Sequence, residues 1–100
     1  MISFLQKWYL AQCNGLWEQS LGVTIETLAA PGWRIAIDLA GTDLEQKPME
    51  PYTARRSTRD WVECKIEHNQ FIGAGDPLKL GFILHAFEQW ASGAQIAPSS

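Results

Sequence analysis

Between Trp33 and Leu39 every second residue is large and apolar: Trp33, Ile35, Ile37 and Leu39, with Arg34, Ala36 and Asp38 between them. A period of two sorts these sets onto opposite faces of a strand, and no helix can separate them in that way. The chain must therefore build a sheet with a buried side and an open side. Just upstream, Val23–Leu28 alternates in the same sense, so Val23 and Ile25 are expected toward the core and Thr24 and Glu26 away from it. Ala29-Ala30-Pro31-Gly32 is a turn signal. The two runs read as the arms of an antiparallel hairpin.

Further strands follow. Tyr52–Ser57 is polar enough to lie toward an edge. After a turn at Thr58-Arg59-Asp60, Val62, Cys64 and Ile66 share one face of the run Trp61–Glu67, with Trp61, Glu63, Lys65 and Glu67 on the other. His68-Asn69-Gln70 turns the chain into a short strand at Phe71-Ile72. Gly73–Pro77 then reads as a helix entry, with Asp76 as the cap and Pro77 at the first helical position. Leu80, Ile83, Leu84, Phe87 and Trp90 recur at steps of three and four, which predicts an amphipathic helix ending near Ala91.

At the other end, Ser3 and Gln6 have capping-box spacing. They predict a helix from about Phe4 to Cys13, with Leu5 and Trp8 inward and a left-handed exit at Asn14-Gly15. The stretch 16–22 has no clear period and is expected to be a loop. The loop from Ala40 to Pro51, about twelve residues, is long enough to be a candidate partner-contacting segment.

These elements fit an α+β fold: a four- to five-stranded antiparallel sheet with the N- and C-terminal helices packed on one face. Residues 1–91 are expected to form a single domain and 92–100 a flexible C-terminal tail. The opposite face of the sheet is then open. It carries Thr24, Glu26, Arg34, Asp38, Trp61, Glu63, Lys65 and Glu67.

Composition narrows the use of that face. At 46% hydrophobic and 19% charged, the chain is too apolar for disorder and too interrupted for a membrane span. A formal charge of −3 argues against nucleic acid, which needs a cationic footprint, and suits a basic protein partner. The N-terminal stretch lacks a basic leader and a small-residue cleavage site, so cytoplasmic residence is expected.

Catalytic constellations find little support. Glu63 and Glu67 share a face but lie roughly 13 Å apart along a strand, beyond the reach of a carboxylate dyad. His68 and His85 do not combine with other ligands into a metal-site spacing, and no cofactor motif is present; Gly73-x-Gly75 is too short for a phosphate loop. Cys64 is expected to point into the core, and Cys13 ends a helix where the dipole disfavours a thiolate. Arg55, Arg56 and Arg59 form the basic cluster, which protects an edge strand as readily as it meets an acidic partner. Of five tryptophans, Trp8, Trp33 and Trp90 fit core faces, Trp17 lies in the expected loop, and Trp61 stands among charges as an interface anchor would.

One set of residues runs through Trp8-Tyr9, Gln12-Cys13, Gly15, Trp17-Glu18, Gly22-Val23, Pro31-Gly32-Trp33, Ile37-Asp38-Leu39 and Gly41-Thr42. It continues through Asp60-Trp61, Cys64-Lys65, Phe71, Gly73, Gly75 and Pro77. In these residues the chain resembles the Imm53 family of bacterial immunity proteins. The resemblance implies binding and neutralisation of a cognate toxin C-terminal domain within a polymorphic toxin system, with no catalytic residues to carry over. Glu26, Asp38, Trp61, Glu63 and Glu67 are the candidate partner-binding residues on the open face, and a monomer or weak homodimer is expected. Two other readings compete. A small thiol-dependent, sulfurtransferase-like enzyme needs an exposed low-pKa cysteine, and a homo-oligomeric structural module needs a second copy on an exposed face.

Overall fold

The computed structural model describes residues 2–93. Its elements are α1 (Ile2–Gln12), α2 (Trp17–Ser20), β1 (Val23–Leu28), β2 (Gly32–Asp38), β3 (Tyr52–Ser57), β4 (Asp60–Glu67), β5 (Gln70–Gly75) and α3 (Leu80–Ala91). The strands form one five-stranded antiparallel sheet in the order β1-β2-β5-β4-β3. Helices at both ends of the chain make this the expected α+β architecture. The expected tail lies, beyond Gly93, outside the described residues.

Antiparallel register carries one set of side chains across the whole sheet. Ile37 pairs with Val23 and Phe71, and Phe71 with Ile66; Ile35 pairs with Ile25 and Gly73, and Gly73 with Cys64. These rows face the helices. Ile35, Ile37, Val62, Cys64 and Phe71 are buried there under Ile83, Phe87 and Trp90 of α3. The Phe87 ring is the centre of an aromatic cluster, with ring centroids 5.1 Å from Phe71, 5.2 Å from Trp8, 6.1 Å from Phe4 and 6.2 Å from Trp90. Such edge-on and tilted contacts add to the area each ring buries.

Several expectations need correction. First, β5 runs six residues and includes Gly73 and Gly75, rather than stopping at Ile72. The glycines are needed because α3 lies directly on the strand: a Cβ at Gly73 would stand 2.3 Å from Ile83 Cγ2. Second, α3 starts at Leu80, so neither Asp76 nor Pro77 belongs to its first turn. Asp76 instead ties the β5–α3 turn to β4. Third, residues 17–20 form a helical turn. Asn14 Oδ1 accepts the N–H groups of Leu16 and Trp17, while Glu18 accepts those of Asn14 and Gly15 at 2.9 and 2.7 Å. A bond from its own backbone N–H, with those from Asn14 and Gly15, holds the Glu18 carboxyl below its ordinary value. Trp17 is consequently buried against Trp8, with ring centroids 5.8 Å apart. Ser3, expected as a cap, lies inside α1.

Fourth, Ile25 points to the helix side but remains 41% exposed. Helix α3 packs on β5 and β4, and α1 packs on α3, so the outer edge at β1 is left uncovered. Val23, nearer α1, is half-buried as expected.

The loop 40–51 is fastened to the body. Leu44 is buried, Pro48 O accepts the Trp90 indole N–H at 3.0 Å, and Lys47 Nζ donates to Trp90 O at 2.7 Å. Lys47 therefore caps the C-terminal carbonyls of α3, where a cation is favoured. Replacing it in K47M, which keeps the apolar stem, should cost about 1 kcal/mol and lower the melting temperature by roughly 5 °C. An unchanged melting curve would show that water satisfies those carbonyls equally well.

Candidate protein-binding face

The second set of side chains occupies the face that no helix covers. Thr24 pairs with Ala36, Ala36 with Ile72 and Ile72 with Lys65; Glu26 pairs with Arg34, Arg34 with Ala74, Ala74 with Glu63 and Glu63 with Thr53. Asp38 pairs with Gln70 and Gln70 with Glu67, while Trp61 pairs with Arg55. Register thus places Glu26, Asp38, Trp61, Glu63 and Glu67 on one face. It also shows how they are spaced. Asp38 and Glu67 are two strands apart, roughly 10 Å, and Glu26 and Glu63 are three apart, roughly 14 Å.

Most of these groups are held by neighbours. Arg34 binds Glu26 at 3.3 Å, Lys65 binds Glu67 at 3.4 Å, and the Gln70 amide donates to Asp38 Oδ1 at 2.9 Å. The Arg55 guanidinium lies 5.0 Å from the centre of the Trp61 ring. Exposed ion pairs of this kind stabilise little, but they hold side chains in place. Among the described residues Glu63 has no ion-pair partner. The middle of the face is apolar and low: Ala36 and Ile72 are buried although no helix lies on them. An apolar floor within a polar rim is the anatomy of a protein interface.

The floor was missed in the sequence because Ala36 and Ile72 come together only through the pairing of β2 with β5. The contact of Arg55 with Trp61 was missed for the same reason, as it needs the pairing of β3 with β4. Trp17-Glu18, part of the family likeness and expected in a loop, does not join this face: Trp17 is buried and Glu18 caps a turn.

The Trp61 backbone is held rigidly. Its N–H donates to Asp76 Oδ2 at 2.8 Å, and its carbonyl accepts Asp76 N–H at 3.1 Å. Asp76 is 1% exposed, and its oxygens also accept Leu78 N–H and Lys79 Nζ, each at 2.8 Å. Lys79 Nζ bridges onward to Asp60 at 2.7 Å. Burial by itself would raise the Asp76 pKa, but the Lys79 ammonium and the two backbone N–H groups together hold it below its ordinary value.

On the open face Gln70 lies between Asp38 and Glu67. Burial pushes the Cys64 thiol up to about 12, so it supplies no thiolate at neutral pH. Among the described residues no group of three His, Cys, Asp or Glu side chains gathers in a metal-binding arrangement. No helix among them is long and apolar enough to cross a membrane. A cleft of about 620 Å³ at one end of the sheet, near Pro31, Arg59 and Leu78, includes Asp76, whose carboxylate is already engaged.

The family model described as immunity protein 53 matches residues 2–92. Neither the curated proteins nor the solved structures provide a match.

Proposed function

The chain belongs to the immunity protein 53 family, and from that membership we propose that it neutralises a cognate bacterial toxin domain by binding it without catalysis. The partner is the C-terminal domain of a polymorphic toxin, met in the cytoplasm of the producing cell or its kin. The observation that supports this reading is the open sheet face, with its apolar floor, its Trp61 anchor and four carboxylates in a charged rim. Glu26, Asp38, Glu63 and Glu67 steer a basic surface into place, and Trp61 supplies the desolvated contact. Glu63 is the carboxylate most available to an incoming cation: Glu26 and Glu67 are ion-paired and Asp38 accepts the Gln70 amide, whereas among the described residues Glu63 has neither kind of partner to give up.

The test is co-expression with the adjacent toxin gene, joined to purification of the complex and measurement of its affinity. Growth rescue with a 1:1 complex is the expected result. The double charge reversal E63K/E67K should weaken binding by roughly 10- to 100-fold while leaving the thermal melt of the free protein nearly unchanged. Unchanged affinity would place the interface elsewhere. Rescue without a complex would indicate an enzymatic or indirect antidote.

A further inference from the structure

The two edges of the sheet are built differently. β3 is guarded by Pro51 before it, by Arg55 and Arg56 within it, and by a register shift between Arg55 and Ser57. Prolines, charges and bulges are the ordinary means of preventing edge-to-edge pairing. β1 has neither a proline nor a bulge. Its six pairs with β2 run without interruption, and its one charge, Glu26, is turned onto the open face and held by Arg34.

The phase of the free hydrogen-bonding groups on β1 is defined. Asp38 N–H donates to Gly22 O at 2.9 Å, which makes Gly22 and Asp38 a hydrogen-bonded pair. Such pairs alternate along an antiparallel ladder. Thr24, Glu26 and Leu28 therefore direct their backbone groups toward β2, while Val23, Ile25 and Thr27 direct theirs outward. Val23, Ile25 and Thr27 also present their side chains on the helix side, where Ile25, Leu21 and Tyr9 are exposed.

We propose that β1 pairs antiparallel with β1 of a second copy of this chain, about a two-fold axis through Ile25, to give a continuous ten-stranded sheet. This register alone satisfies all the outward groups around Ile25. Val23 bonds to Thr27 of the second copy, Ile25 to Ile25, and Thr27 to Val23, which makes six backbone hydrogen bonds. It also brings the two exposed Ile25 side chains together. Charge favours it as well, because Glu26 faces Thr24 of the second copy rather than another glutamate. The axis runs perpendicular to the sheet, so both open faces remain uncovered and point the same way. One strand edge buries less than the roughly 800 Å² per partner of a standard interface, so the dimer is weak. The pairing does not depend on toxin binding.

Sedimentation of the full chain from about 1 to 500 µM tests this. The mass is expected to rise from 11.2 kDa toward twice that value. I25K places two like charges face to face and should weaken the association at least about tenfold. I25P removes an outward N–H that β2 does not use, and should have the same effect without disturbing the fold. Under mild oxidation I25C should cross-link as a dimer, since paired Cα atoms lie roughly 5.5 Å apart, whereas T27C should not. A monomer at every concentration overturns the proposal. So does a dimer that survives both Ile25 changes, and so does cross-linking through T27C in preference to I25C.

Discussion

Replacing Asp76 by alanine is expected to destabilise the protein by about 3 kcal/mol and to lower its melting temperature by roughly 15 °C. The reason is the number of donors left behind. Asp76 receives the Trp61 and Leu78 N–H groups and the Lys79 ammonium, and it is almost wholly buried. Alanine strands both N–H groups at once and leaves Lys79 only its bond to Asp60. D76N preserves the shape but offers one acceptor oxygen, so it should fall between wild type and D76A. Calorimetry would decide the point: a loss below 1 kcal/mol would mean that water reaches the turn and replaces the carboxylate.

The same network fixes a pH dependence whose sign follows from its members. Hydrogen bonding to Lys79 holds Asp60 below its ordinary value, and Asp76 is lowered as well. Their contribution is fully present above the unfolded carboxylate range near pH 4 and is lost as pH falls through the lowered folded values. Lys79 is shifted upward, mainly by its bonds to Asp60 and Asp76. Its contribution is present below its unfolded value near 10.4 and is lost as pH rises through the raised one. Stability from this cluster should therefore be level between about pH 5 and 10 and fall at both ends. D76N should flatten the acid limb measured by denaturant titration from pH 5 to 2.

The other large effect is expected at Gly73. An added Cβ would meet Ile83 Cγ2 at 2.3 Å, and Ile83 is fully buried with a stiff, β-branched side chain. G73A should cost roughly 2–3 kcal/mol through overpacking, because α3 cannot lift from the sheet without opening the Phe87 cluster. I83L removes the offending methyl while keeping the side-chain volume. The double variant G73A/I83L should consequently be more stable than the sum of the single effects predicts, by at least about 1 kcal/mol. Strict additivity would show that the backbone, not Ile83, absorbs the added carbon.

Local chemistry made much of this architecture legible. The alternation at 33–39 and 61–67 identified the strands and their two faces, because side chains on a strand alternate whatever lies beside it. The recurrence of Leu80, Ile83, Leu84, Phe87 and Trp90 identified α3 for the corresponding reason at helical period. The same arithmetic assigned Glu26, Asp38, Trp61, Glu63 and Glu67 to the open face. It failed where partners distant in sequence override local preference. Gly73 and Gly75 read as a breaker before a helix, yet they are strand residues whose missing side chains admit Ile83 of α3 and Lys79 just before it. Asp76 has the composition of a cap, yet its oxygens are claimed by Trp61, fifteen residues away, and by Lys79.

The sequence by itself determined the existence of the long helices and of most strands, and which side of β2 and β4 carries the large apolar residues, since those depend on spacings of a few residues. Strand order, the edge position of β1 and the floor made by Ala36 and Ile72 were decided only by tertiary structure. Each depends on which strands lie side by side, and a period of two is the same whether the neighbour is a strand, a helix or water.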